Sequence, residues 1–176
     1  SKVDQMLRSA GIRTTKALLY DWLDHALDTH LLIRCDRFGA SATERLTSTT
    51  RFFCTDNGLL TAVTGSFQDE WGKLLENATA VEAVRQGWGI SYYKEKRECD
   101  LVLSANGRPM RCVQVCWSIQ DPETRQRELA GLAEACAVFG VKEGTVVTFE
   151  EREDIKAGKL RVRVVPFWEA GGALKK

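Results

Sequence analysis

Apolar residues recur at helical spacing in four stretches of the chain. The first two lie near the N-terminus, at residues 3–10 and 16–30, and the other two run over residues 70–86 and 121–140. Spacings of three and four residues place such positions on one face of a helix. The last three stretches therefore predict helices with one apolar, buried face, and residues 3–10 predict a short helix that ends at Gly11.

Short runs rich in β-branched and aromatic residues lie between and after these helices. They are Leu31–Cys35, Arg51–Cys54, Ile90–Lys94, Cys99–Ser104, Met110–Trp117, Gly144–Phe149 and Leu160–Val165. Asn106-Gly107 separates two of these predicted strands and is a strong signal for a two-residue hairpin turn. Because the last two strands follow a helix, we expect a mixed sheet.

The order of elements changes near Gly65-Ser66, where we expect a domain boundary. Residues 1–65 show helix, turn, helix, strand, loop and strand, with a Ser/Thr-rich loop at 41–50, which is the order of a winged helix. We also expect a turn at Asp56–Gly58. Residues 66–176 show the order α-β-β-β-α-β-β, which predicts an α/β domain.

The charge balance limits the function classes that remain. The chain has 176 residues with 25 basic and 24 acidic side chains, so its formal net charge is +1. This balance excludes a broadly basic nucleic-acid coat, and any phosphate binding must come from a local patch. The sequence has no apolar run of membrane-spanning length and no signal-peptide core at its start, so we expect a cytoplasmic location and no membrane partner.

The pattern of the six cysteines agrees with a cytoplasmic location. No two of them form a C-x-x-C pair, and zinc sites usually bring ligands in such closely spaced pairs. Disulfides are disfavoured in a reducing cytosol. We therefore expect reduced cysteines that pack as small apolar side chains.

Four sequence segments resemble one protein family. They are Phe52–Leu60, Gly72–Asn77, Glu98–Leu103 and Gln114-Val115. Together they resemble the C-terminal half of a prokaryotic AAA-type ATP-binding protein family, in which a winged helix precedes a domain of unknown function. That domain has a restriction-endonuclease-like, or PD-(D/E)XK, fold: a mixed sheet flanked by helices. Because this sequence contains no G-x-x-x-x-G-K-[ST] loop, the resemblance implies that ATP binds only in an ATPase half outside this chain.

The resemblance also implies a nuclease-type site made of a helix glutamate, a strand aspartate and an acid-x-lysine motif on the next strand. In this sequence the positions fall on Glu76, Asp100, Gln114 and Cys116. In an active site, Glu76 and Asp100 would hold Mg²⁺, and the lysine would help to stabilise the charged transition state. Gln114 replaces the acid, and the Cys116 thiol cannot act as a cation. We therefore expect a degenerate, inactive site without a resident cofactor.

A positive charge relocated from elsewhere would change that expectation. The nearest candidates by topology are Lys94, Lys96 and Arg125. With one of them in place, the alternative is a Mg²⁺-dependent nuclease. The two readings predict opposite results in a cleavage assay.

Nucleic-acid binding by the N-terminal unit has an argument on each side. Four arginines lie near the predicted wing: Arg34, Arg37, Arg45 and Arg51. Such side chains can contact phosphate without reading sequence. The second helix, however, carries three carboxylates on its polar face: Asp21, Asp24 and Asp28. Because a recognition helix lies against phosphates, these carboxylates would repel a duplex.

The sequence as a whole thus favours a non-catalytic binding or regulatory C-terminal module of a AAA-type ATPase. Its expected partner is the ATPase half of its own parent chain, with DNA or RNA and a second copy of the chain as further candidates. A winged-helix DNA-binding regulator is a third reading, after the nuclease.

Overall fold

The computed structural model describes residues 2–39, 48–64 and 70–176. The helices in these ranges are α1 (Lys2–Ser9), α2 (Lys16–Asp28), α3 (Asn57–Thr64), α4 (Trp71–Arg85), α5 (Pro122–Phe139) and α6 (Phe167–Ala173). The strands are β1 (Leu32–Arg37), β2 (Arg51–Cys54), β3 (Gly89–Lys94), β4 (Glu98–Ala105), β5 (Arg108–Val115), β6 (Glu143–Thr148), β7 (Glu153–Ala157) and β8 (Leu160–Pro166).

These strands form one mixed sheet in the order β2-β1-β3-β4-β5-β6-β8-β7. Neighbours are antiparallel from β3 to β5, whereas β6 is parallel to β5 and β8 is parallel to β6. A parallel neighbour requires a crossover connection, and α5 supplies it between β5 and β6. The fold is therefore mixed α/β, as predicted, with helices on both faces of the sheet.

Alternation along the strands produces a separate apolar core on each face of the sheet. Leu101 and Val113 pack on the face that carries α4 and α6. Val102 and Cys112 pack on the face that carries α5. Successive strand residues point to opposite faces, so adjacent positions on one strand belong to different cores.

The N-terminal strands extend this same sheet. β1 pairs antiparallel with β2, and its last residues, Asp36 and Arg37, pair in parallel with β3. The boundary expected at Gly65-Ser66 lies outside the described residues. So does most of the loop expected at 41–50.

Local sequence signals account for the limits of α5 and for the central hairpin. The Asp121 carboxylate accepts a hydrogen bond from the Thr124 N–H at 2.8 Å and caps the start of α5. The helix ends at Gly140, whose φ of 68° lies in the left-handed region that favours glycine. Asn106 and Gly107 also have positive φ, at 51° and 73°, as a type I′ hairpin turn requires.

Four elements differ from the sequence-based prediction. α2 has no buried residue in the described part of the chain, although its spacing predicts a buried face. The turn predicted at Asp56–Gly58 is the start of α3, because the Asp56 carboxylate accepts the Leu59 N–H at 2.9 Å and caps that helix. An aspartate turn and an aspartate helix cap begin with similar local hydrogen bonds, so local sequence does not separate them. β7 is an exposed edge strand without apolar alternation. α6 contains Gly171-Gly172, a pair that lowers helix propensity.

Two expectations from composition can be compared with the structure. All six cysteines are free and buried, which confirms that they pack as apolar side chains. In the three described ranges, every helix is too short or too polar to span a bilayer.

Candidate functional site

The structure brings three of the four predicted site residues together. Glu76 comes from α4, Asp100 from β4 and Gln114 from β5. β4 and β5 run antiparallel with Leu101 opposite Val113, so Asp100 and Gln114 are neighbours across the two strands. The Asp100 N–H donates to Gln114 Oε1 at 3.3 Å. Glu76 joins them through a shared cationic partner.

That partner is Arg51 of β2. Its Nη1 lies 3.2 Å from Glu76 Oε1 and 3.8 Å from Asp100 Oδ1, and its Nη2 pairs with Glu98. The guanidinium also lies over the Tyr92 ring, 4.5 Å from the ring centre. We call Arg51, Glu76, Glu98 and Asp100 the Arg51 cluster. The sequence made Arg51 a candidate for contact with phosphate, whereas three carboxylates surround it in the structure.

Asp100 occupies a poorly hydrated position in this cluster. Its side chain is 14% exposed, and its Oδ2 accepts the Val115 N–H at 2.9 Å. Burial, and then the negative charge of Glu76, raise the pKa of Asp100 to about 7, against the opposing effects of the Val115 N–H and Arg51. Burial also raises the pKa of Glu76, and Arg51 again opposes the change. Asp100 can therefore take up a proton near neutral pH.

Both the carbonyl and the NH₂ group of the Gln114 side chain are hydrogen-bonded to protein groups. Besides accepting the Asp100 N–H, its amide donates to Glu128 Oε2 at 2.5 Å. Glu128 lies on α5, is buried, and pairs through its other oxygen with Arg127 at 2.5 Å. Glu128 is not among the site residues predicted from the sequence. Its spacing of four residues from Leu132 nevertheless places this acid on the buried face of α5.

Cys116 lies apart from the charged cluster. It is 9% exposed and belongs to the apolar core beneath α5, where its N–H donates to the Val147 carbonyl at 3.1 Å. Burial, followed by the negative charge of Glu128, raises the pKa of the Cys116 thiol to about 12. The side chain is therefore neutral near pH 7 and supplies neither a cation nor a thiolate.

The cations proposed as substitutes for the missing lysine have different surroundings. Lys94 Nζ pairs with Glu98 Oε2 at 2.9 Å and so reaches the edge of the cluster. Lys96 lines the cavity that opens beside Asp100. Arg125 is engaged elsewhere, with Glu153 of β7 at 2.6 Å. Arg51, which was not among these candidates, is the cation that contacts Asp100.

The arginines expected near the wing are also paired where the structure describes them. Arg34 Nε lies 2.9 Å from an Asp36 carboxylate oxygen, and Arg37 pairs with Glu95. Arg45 lies outside the described residues. The described members of this set therefore have carboxylate partners, so each would have to exchange a partner to bind phosphate.

A cavity of about 440 Å³ opens beside Asp100 and Gln114. Within residues 2–39, 48–64 and 70–176, no group of three or more His, Cys, Asp or Glu side chains is arranged to hold a metal ion. The contacts explain this, because Arg51 binds both Glu76 and Asp100 and the Gln114 carbonyl accepts a backbone N–H. In this arrangement the residues present do not fit Mg²⁺.

Comparison with known proteins adds no assignment. No protein-family model matches the chain, and neither a curated protein nor a solved structure matches it.

Proposed function

We propose that this chain is a non-catalytic binding or regulatory module with a restriction-endonuclease-like fold, in which the nuclease-type site has become a structural ion-pair cluster. The observation that carries this proposal is the position of Arg51. Its guanidinium binds Glu76 and Asp100, the two carboxylates to which the family resemblance gives the metal.

The chemistry of a guanidinium supports the loss of activity. Arginine stays protonated at every ordinary pH, so Arg51 permanently supplies one positive charge to the three carboxylates of the cluster. It presents only N–H donors and has no open coordination position at which water could be activated. Arg51 is 24% exposed and pairs with three carboxylates. Its displacement by an incoming cation would leave a half-buried charge without partners, which is costly.

The order of elements supports the proposed fold. α4 is followed by β3, β4 and β5, then by α5 and β6, and the four strands are neighbours in chain order. This arrangement lets a helix glutamate, a strand aspartate and a residue of the next strand meet, as the family resemblance implies. The antiparallel pair β1–β2 after two helices supports a winged-helix-like unit at the N-terminus.

The surface of α2 supports a docking role against the ATPase half of a AAA-type parent protein. The described part of the chain buries none of the residues of α2. Tyr20 and Trp22 are 65% and 45% exposed, and the polar face of the helix is acidic. Exposed aromatic side chains of this kind are typical of interfaces with another protein.

A cleavage assay tests the proposal. The protein is incubated with DNA and with RNA in the presence of Mg²⁺ or Mn²⁺, in parallel with Asp100→Ala and Arg51→Gln. We expect no cleavage by any of the three proteins, and no increase in wild-type melting temperature with Mn²⁺. Cleavage by the wild type that Asp100→Ala abolishes would overturn the proposal.

One observation favours a second candidate function, a metal-dependent nuclease with a relocated cation. Arg51 lies 3.8 Å from Asp100 and could take the part of the missing lysine. In that case Arg51→Gln would remove a wild-type cleavage activity, as Asp100→Ala would. The same assay therefore decides between the two functions.

A further inference from the structure

A second and larger cavity, of about 1170 Å³, opens at the beginning of β6 and β8 and shares no lining residue with the cavity beside Asp100. Six basic side chains line it: Arg111, Lys142, Lys156, Arg161, Arg163 and Lys176. We call these six residues the basic surface. Only two carboxylates, those of Glu143 and Asp154, accompany them, so the local formal charge is +4. The whole chain carries +1, which means that positive charge is concentrated here.

The register of the strands places the central cations on one face of the sheet. Arg161 lies opposite Glu143 of β6 and Lys156 of β7, and Arg163 occupies the next position on the same side of β8. Val162 lies between them and points into the core beneath α5. Alternation of arginine and valine in β8 therefore builds a charged outer face on a buried strand.

These cations are available to an anionic ligand. Arg161 is 77% exposed, and its nearest carboxylate, that of Glu143, lies 3.9 Å away and is itself 63% exposed. Such an exposed pair holds its members weakly. Lys142, Lys156 and Arg163 are exposed, and none of them forms an ion pair within the described part of the chain.

On the opposite wall of the cavity, two cations are hydrogen-bonded to backbone carbonyls. Arg111 donates to the Ala173 carbonyl at 2.7 Å, and its guanidinium lies 5.8 Å from the centre of the Trp88 ring. Lys176 Nζ donates to the Gly87 carbonyl at 2.7 Å and lies over the same ring. Two of the six cations are thus held in place before any ligand binds, which lowers the entropy lost on binding.

We propose that the basic surface binds the phosphate backbone of nucleic acid without reading its sequence. Guanidinium groups bind phosphate through paired N–H donors, and two residues of a strand advance the chain by about 6.6 Å. Arg161 and Arg163 therefore present guanidinium N–H donors at a regular spacing, which suits the regularly spaced phosphates of a nucleic-acid backbone. Trp88 is 6% exposed and so presents no ring on which a base could stack. This inference deepens the proposed function and rests on it: besides docking to the ATPase half, the binding module also binds nucleic acid.

Fluorescence anisotropy with labelled duplexes of two unrelated sequences tests this inference, in EDTA so that metal-dependent cleavage cannot occur. The key variant is the double substitution Arg161→Gln/Arg163→Gln. Each phosphate contact contributes about 0.9 to the log–log salt slope, or about eightfold in affinity at 0.1 M salt. We therefore expect the double variant to raise Kd about 60-fold at that salt and to reduce the slope by about 2, with equal Kd values for the two sequences.

The matched control is Arg13→Gln/Arg85→Gln, which removes the same charge from two exposed arginines outside the cavity. We expect Kd to stay within about twofold of wild type, apart from the small effect of net charge. Melting temperatures of both double variants check that the fold is intact.

Three results would overturn the inference. They are no duplex binding by the wild type at 0.1 M salt, an equal loss of affinity in the control variant, and displacement of the duplex by polyglutamate at equal charge concentration. The last result would indicate an acidic protein as the partner. Because binding is measured without metal, a failure of the protein to bind the duplex would not decide the outcome of the cleavage assay. Cleavage by the wild type would remove the proposed function while the binding result stood.

Discussion

Replacement of Arg51 by methionine tests whether the Arg51 cluster depends on its single central cation. Methionine keeps much of the length of the side chain and removes the charge, so Glu76, Glu98 and Asp100 lose a shared partner. Removing one member of a buried charged network costs about 3–5 kcal/mol. Arg51 is 24% exposed and Glu98 is 35% exposed, and Lys94 still pairs with Glu98. Solvent screening therefore reduces the expected loss to about 2–3 kcal/mol at pH 8.

The size of this loss depends on pH in a definite direction. Arg51 lowers the pKa of both Asp100 and Glu76 in the folded state, so Arg51→Met raises both while the values in the unfolded chain stay the same. The contribution of a raised pKa is present at low pH and is lost as pH rises through the folded value. At pH 5 Asp100 is protonated, so the cluster carries less negative charge and the loss of its cation costs less. We expect a loss of about 1 kcal/mol at pH 5.

Urea unfolding at pH 5 and pH 8 measures the free energy of unfolding for the wild type and the variant. The matched control is Arg34→Met, because Arg34 is 54% exposed and pairs with an exposed Asp36. This control should cost less than about 1 kcal/mol at either pH. Equal losses for Arg51→Met at the two pH values would refute the electrostatic reasoning. So would a variant as stable as the control.

Two further predictions concern the surroundings of the cluster. Asp100→Asn keeps an oxygen for the Val115 N–H but removes an acid whose pKa is about 7 in the folded state. Protonated Asp100 contributes fully to wild-type stability below pH ~4, and this contribution is lost as pH rises to ~7. The variant should therefore be more stable than wild type at pH 8, by as much as ~4 kcal/mol. A difference in unfolding free energy that stays constant between pH 4 and pH 8, measured with urea, would contradict this. Gly131→Ala places a Cβ 2.2 Å from the Glu98 carbonyl oxygen, and the resulting shift of α5 should cost about 1–3 kcal/mol. Gly172→Ala meets nothing within 4 Å and should gain up to about 1 kcal/mol; equal melting temperatures for the two glycine variants would contradict the close packing of α5.

Much of the local structure could be predicted from the sequence. α5 has its capping aspartate at one end and Gly140 at the other, and Asn106-Gly107 selects the hairpin between β4 and β5. These signals act within a few residues, so they operate in whatever fold contains them. The family resemblance implied that Gln114 and Asp100 meet, and the antiparallel pairing of β4 with β5 brings them together.

The tertiary structure alone decided what the site contains. Arg51 is separated by 25 residues from Glu76. Periodicity assigns a residue to one face of a strand, but it does not identify which residue lies beside it on another strand or helix. β2 reaches the cluster because β1 pairs in parallel with β3, a long-range contact that leaves no local pattern. The family resemblance already placed Glu76 and Asp100 in the site, whereas Arg51, which pairs with both, could be placed there only from the assembled sheet.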